Sequence, residues 1–143
     1  MMKTPLVSIC CLCYNHEKFI RQCIEGFLIQ KVNFDIEIII NDDASQDDSV
    51  RIITEYQSKY PNLFVCVFQK ENQYSKGVNL LSLIFSKARG KYIAYCEGDD
   101  YWTDPLKLQK QVQHQYLQFL QAIFERQGFL HQLRFQLNHW NRK

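Results

Sequence analysis

Apolar and polar positions along this chain alternate between two periods. Val7 to Tyr14 is a nearly continuous apolar run, the pattern of a strand covered on both faces. Phe19, Ile20, Cys23, Ile24, Phe27 and Leu28 then recur at helical spacing, with Asn15 as the expected N-cap and Glu17 in the first turn. Ile36 to Ile40 is a second β-branched run and ends in Asn41-Asp42-Asp43-Ala44-Ser45. Ser45 and Asp48 read as a capping box for a helix continued by Val50, Ile53 and Tyr56. Tyr60-Pro61-Asn62 predicts a turn and Leu63 to Phe68 a third strand. After a polar loop, a helix is predicted from about Val78 to Ala88, closed by Arg89-Gly90 in the usual glycine manner. Lys91 to Cys96 reads as a fourth strand, and Pro105 opens a further helix at its first turn.

Strands alternating with helices predict an α/β fold: a parallel sheet with helices on both faces. In such sheets ligands bind beyond the carboxyl ends of the strands, where strand order reverses. The polar residues gather at those ends: Tyr14-Asn15 after the first strand, Asp42-Asp43 after the second, and Glu97-Gly98-Asp99-Asp100 after the fourth.

Composition narrows the field. Apolar residues make up 46% of the 143 residues and charged residues 22%, ordinary for one soluble domain. No window approaches a membrane span, and the N-terminus does not read as a signal peptide, which places the protein in the cytoplasm. The net charge of +2 hides a split: 11 basic against 14 acidic residues up to Asp104, then six basic residues against Glu125 alone. The first part is too acidic for a nucleic-acid surface. The six cysteines form no C-x-x-C pair and mostly lie in apolar runs, so they read as small buried hydrophobes rather than zinc ligands. His16, His114, His131 and His139 show no metal spacing and read as capping or surface residues.

The acidic loop carries the sharpest chemistry. Glu97, Asp99 and Asp100 fall within four positions. Hard divalent cations such as Mg²⁺ or Mn²⁺ prefer such oxygens and complete their shells with water and phosphate. The competing reading is a solvated turn in which Asp104 caps the following helix. Asp42 and Asp43 could likewise be acids at the positive end of a helix, and Tyr14 a plain strand-end aromatic, although its face suits stacking on a base. No G-x-G-x-x-G or P-loop exists. A phospho-receiver domain would want its acid pair after the first strand, which here ends in Tyr14-Asn15.

VSICCLCYNHEKFIRQCIEGFLIQ, FDIEIIINDDASQDDSVRII and SKARGKYIAYCEGDDYWTDPLKLQKQV together resemble the N-terminal, nucleotide-sugar-binding half of the inverting GT-A glycosyltransferases of family two, closest to bacterial enzymes of surface-polysaccharide synthesis. The resemblance covers roughly residues 5 to 113. It implies a GT-A (Rossmann-like) fold and a nucleoside-diphosphate sugar as donor, with UDP-sugars the family's common choice. It also implies a divalent metal (Mg²⁺ or Mn²⁺) and a saccharide or lipid-linked acceptor. By that likeness Tyr14 and Asn15 lie at the donor, Asp43 hydrogen-bonds the base, and Lys76 falls where such enzymes place a basic donor contact. Asp99 faces ribose or metal, and Asp100 binds the metal. This chain reads Glu-Gly-Asp-Asp where the family motif is Asp-x-Asp, which leaves Glu97 as an orienting residue.

The family's general base and acceptor elements lie C-terminal to the metal loop, and no residue here is assigned as base. Residues 1–113 are thus expected to form the donor-binding domain and 114–143 a Gln-rich helical tail. In the tail Leu130, Leu133, Leu137 and Trp140 form an expected helical stripe. It would pack on the domain or on a second copy, as in a homodimer, or lie on the inner membrane face. Two functional expectations follow: a sugar transferase, or a domain that binds the nucleotide-sugar without transferring it.

Overall fold

The computed structural model describes residues 3–125 and 136–137. Among these residues five strands form one sheet: β1 (Val7–Cys13), β2 (Ile36–Asp42), β3 (Phe64–Phe68), β4 (Tyr92–Glu97) and the two-residue β5 (Gln136–Leu137). Their spatial order is β3-β2-β1-β4-β5 and every pairing is parallel. The chain lays β2 and β3 on one side of β1, then crosses back to lay β4 on the other. The reversal of strand order therefore falls beside β1.

The helices are α1 (Ile20–Leu28), α2 (Ser49–Lys59), the six-residue α3 (Leu80–Phe85) and α4 (Lys107–Glu125). Alternate residues of the strands face opposite layers, as the two-residue strand period requires. Val7, Ile9 and Cys11 of β1 with Ile38 and Ile40 of β2 pack against Ile20, Ile24 and Phe27 of α1, Ile52 and Ile53 of α2, and Leu108 of α4. Cys10, Ile39 and Ile93 face the other way, onto Ile84 of α3 and Ala88. Both faces of β1 are dry, which explains why its sequence is an unbroken apolar run.

A buried polar cluster fastens the edge of the sheet opposite the acidic loop. Glu37 accepts from the Ser8 hydroxyl (2.6 Å), the Arg89 amide (2.8 Å) and the Arg89 guanidinium (2.8 Å). Burial alone would raise the Glu37 carboxyl, but Ser8 and Arg89 together hold it below its ordinary range. Gly90 also donates to the Ser8 hydroxyl. This explains the glycine better than the expected helix stop does. Gly90 has no positive φ, while a Cβ there would stand 2.6 Å from the Ser8 nitrogen.

Several sequence expectations are corrected at element ends. Asn15 does not cap α1, which begins five residues later and has Phe19 at its N-cap. The Ser45–Asp48 capping box is not formed: α2 starts at Ser49, and the Ser45 hydroxyl is turned back to Asp42. The third helix is shorter than expected and is capped by Asn79, whose side chain accepts from the Ser82 amide. Pro105 lies in the turn before α4 rather than in its first turn. Leu137 belongs to a strand beside Ala94, so the helical stripe of the tail fails there. Leu130, Leu133 and Trp140 lie outside the described residues. α4 itself runs without a break across residues 113 and 114.

All six cysteines are free, and five of them are buried. Burial pushes the Cys10 and Cys66 thiols up to about 12, which keeps them protonated and inert. Among the described residues no helix is long and apolar enough to cross a membrane.

Candidate donor-binding site

The carboxyl ends of β1, β2 and β4 come together, and the loops leaving them form the site. The loop after β1 is stitched to the loop after β2. The Asn15 amide donates to the Ser45 hydroxyl (2.8 Å), and the Asn15 side-chain oxygen accepts from the Gln46 amide (2.8 Å). The His16 amide donates to the Ser49 hydroxyl (2.9 Å) and the Glu17 amide to Asp47 (2.9 Å). Asn15 (φ 55°) and Ala44 (φ 64°) both hold left-handed backbone, the only non-glycine residues among those described to do so. Such strain persists where surrounding contacts enforce it, and it concentrates at functional loops.

The acids after β2 are buried and committed. Asp42 accepts from both the amide and the hydroxyl of Ser45. Asp43, only 2% exposed, accepts from the Gln73 amide at 2.8 Å and the Tyr74 amide at 3.0 Å. Its carboxylate thereby pins the short 3₁₀ turn Tyr74–Lys76, which Gly77 ends in left-handed backbone (φ 77°). Lys76 sits on that turn, paired with Glu71 on the same loop. Tyr14 is 42% exposed at the end of β1.

The acids after β4 stand differently. Asp99 and Asp100 are exposed. Among the described residues neither carboxylate takes a hydrogen bond or an ion pair, although the Asp100 amide donates to the Glu97 carbonyl (3.0 Å). The Glu97 carboxylate accepts from the Tyr95 hydroxyl (3.3 Å). Burial, with Glu97 beside it, pushes the Tyr95 phenol well up, so it remains a donor. Asp104 does cap the next turn, accepting from the Leu106 amide (2.8 Å) and pairing with Lys110 (2.8 Å). The solvated-turn reading thus accounts for Asp104 and leaves Asp99 and Asp100 without a structural task.

The donor set fits a hard divalent ion. Two adjacent, uncommitted carboxylates offer oxygen ligands, while no group of three or more His, Cys, Asp or Glu side chains converges among the described residues. Such a pair suits an ion that completes its shell with water and phosphate oxygens rather than one caged wholly by protein.

Sequence reasoning missed several residues here. Asp47, Ser49, Asn72 and Gln73 hold the loops, as does Ser45 in a role other than the expected cap, and nothing in a linear pattern marks partners some thirty positions apart. His16, read as a capping or surface residue, is instead half-buried with its Nδ1 enclosed and unpartnered.

The parallel sheet, with its helices and the reversal of strand order beside β1, is an α/β architecture of the GT-A kind. The profile described as "Glycosyl transferase family 2" matches residues 8–135, and the chain belongs to that family. An uncharacterised protein of Mycobacterium tuberculosis is 49% identical over 109 residues, which are 76% of this chain and 31% of that protein. The fold superposes on Staphylococcus aureus TarS in complex with UDP (TM-score 0.63, 21% identity), covering 75% of this chain and 31% of that one. It also superposes on the Pyrobaculum calidifontis mannosyltransferase PcManGT in complex with GDP-Man and Mn²⁺ (TM-score 0.63, 19% identity), covering 78% and 32%. The chain spans about a third of the length of these relatives.

Proposed function

We propose that this chain binds a nucleoside-diphosphate sugar across the carboxyl edge of its sheet and supplies the donor half of an inverting sugar transfer to an acceptor hydroxyl. A UDP-sugar is the first candidate, with Mg²⁺ or Mn²⁺ held by Asp99 and Asp100. The observation that carries this reading is the uncommitted carboxylate pair, which follows β4 beside the reversal of strand order, at a sheet end whose other acids are already hydrogen-bonded. The likeness to a mannosyltransferase described with GDP-Man and Mn²⁺ supports it.

In this reading the exposed Tyr14 ring stacks on the base. Asn15 keeps the first loop in place, and Asp43 uses its remaining lone pairs toward the base while it holds the Tyr74–Lys76 turn. Lys76 exchanges Glu71 for the diphosphate. Asp99 serves the ribose or the ion, and Asp100 the ion. When bound, the ion stabilises the negative charge that builds on the departing diphosphate. Glu97, tethered by Tyr95, orients the loop. The setting we propose, from the resemblance to bacterial polysaccharide enzymes, is cell-surface polysaccharide synthesis at the cytoplasmic face of the membrane, with a saccharide or lipid-linked acceptor.

A second reading is nucleotide-sugar binding without transfer, because no described residue is assigned as general base for the acceptor hydroxyl. Glu125, the last acid of the chain, ends α4 and is not assigned that role. Calorimetric titration with UDP, with and without Mn²⁺, tests the shared part. We expect Mn²⁺-dependent binding by the wild type, lost in Asp100→Ala. Donor hydrolysis or transfer by the same sample separates the two readings, and robust turnover would refute the second.

A further inference from the structure

In the acidic loop the exposed residues Asp99 to Tyr101 lie between Gly98 and Trp102, and both of these flanks are held by contacts that only glycine permits. On the far side the Trp102 backbone presses on Gly26 of α1, where a Cβ would stand 2.8 Å from both the Trp102 nitrogen and oxygen. Phe27 meets the Trp102 ring edge-on at 4.9 Å. On the near side Gly98 is buried, its amide donating to the Leu12 carbonyl (2.9 Å). A Cβ on Gly98 would stand 2.7 Å from His16 Nδ1, with Ile20 Cδ1 and the Leu12 oxygen at 3.2 Å.

His16 reaches Gly98 from a base of its own. Its amide is fixed by Ser49, and its carbonyl accepts from the Phe19 and Ile20 amides at 2.9 and 2.8 Å. The His16 backbone is thus set by the loop after β1 and by Ser49 at the start of α2, not by the acidic loop that its ring touches. Its Nδ1 is enclosed and lacks a partner. Enclosed polar atoms are rarely left bare in native proteins. An apolar side chain would fill the same space without that cost, so packing alone does not account for a histidine.

We propose that His16 is a positioning residue: its ring is the stop against which Gly98 rests, and it sets where Asp99 and Asp100 stand relative to the loops after β1 and β2. The functional consequence rests on the donor-site reading; the placement itself does not.

Two readouts keep these apart. Amide hydrogen exchange over residues 99–101, without any ligand, reports the placement, because the Asp100 amide is held only by the Glu97 carbonyl. Titration of UDP in the presence of Mn²⁺ reports the consequence. His16→Ala should speed exchange over this stretch by about tenfold through easier local opening. It should also weaken Mn²⁺-dependent UDP binding by about tenfold, the usual scale for residues behind a metal ligand, at an unchanged melting temperature. Gly98→Ala should weaken binding further, and His16→Ala/Gly98→Ala should bind more tightly than Gly98→Ala alone, because the closest obstacle to the new methyl is gone. If Gly98→Ala does not fold, the comparison of His16→Ala with wild type decides. Unchanged exchange in His16→Ala, or a double variant no tighter than Gly98→Ala, would overturn the proposal. If wild type fails to bind UDP with Mn²⁺, the donor reading falls while the exchange experiment still decides the placement.

Discussion

Two pairs of adjacent aspartates lie at the same edge of one sheet and live in opposite surroundings. Asp42 and Asp43 at the end of β2 are buried, and their oxygens are occupied by Ser45 and by the amides of Gln73 and Tyr74. Asp99 and Asp100 after β4 are exposed and take no partner among the described residues. The first pair builds loops. The second keeps its charge available, and like charges that close are tolerated only where water or a cation compensates them. The same residue type in the same kind of loop therefore does two jobs, and hydrogen-bond partners tell them apart.

That contrast can be broken by mutation. Asp100→Ala should cost at least about 100-fold in Mn²⁺-dependent UDP affinity, the top of the range for residues behind a ligand. Its urea unfolding free energy should stay within about 0.5 kcal/mol of wild type. Asp43→Ala should differ from Asp100→Ala in stability, because Asp43 holds the Tyr74–Lys76 turn as well as facing the base in the proposed reading. It leaves two amides without an acceptor and should cost about 3 kcal/mol of stability, read by the same urea titration. An Asp43→Ala protein as stable as wild type would erase the distinction between the pairs.

Glu37 is a control, a buried acid at the far edge of the sheet with no ligand to serve. Glu37→Gln should cost about 2 kcal/mol, moderated because its partner Arg89 is half-exposed. The folded Glu37 carboxyl sits below its ordinary 4.5, so its contribution is present above that value and is lost as pH falls through the folded one. The acid limb of wild-type stability should therefore be steeper than that of Glu37→Gln. Smallest of all, Asn15→Ala removes the acceptor for Gln46 and puts a side chain less suited to left-handed backbone at φ 55°, a loss of about 1 kcal/mol.

Much of this was legible in the residues. The dry run Val7 to Cys13 and the β-branched run after Ile36 announce strands covered on both faces, and the acids at strand ends do gather at the carboxyl edge, where the candidate site is proposed. Helix starts were not legible. Asn15 and Ser45 have the chemistry of caps, but each is claimed by the other's loop. Local propensity lost to a tertiary contact about thirty residues away. Gly98 and Gly90 carry the same lesson: a linear reading treats glycine as a turn or a stop, whereas both are glycine because another chain segment comes too close for a Cβ. Leu137 fitted a helical stripe by spacing, yet the open edge of β4 takes it as a strand.

The proposed donor binding at this edge of the sheet requires Asp99 and Asp100 to hold a divalent ion together with a diphosphate. The free Mn²⁺ signal in electron paramagnetic resonance, followed as protein is added at fixed UDP, measures this directly. The wild type should deplete the signal well beyond what UDP alone removes, and Asp99→Asn/Asp100→Asn should leave it at the UDP-only level. Equal depletion by both proteins would contradict the assignment.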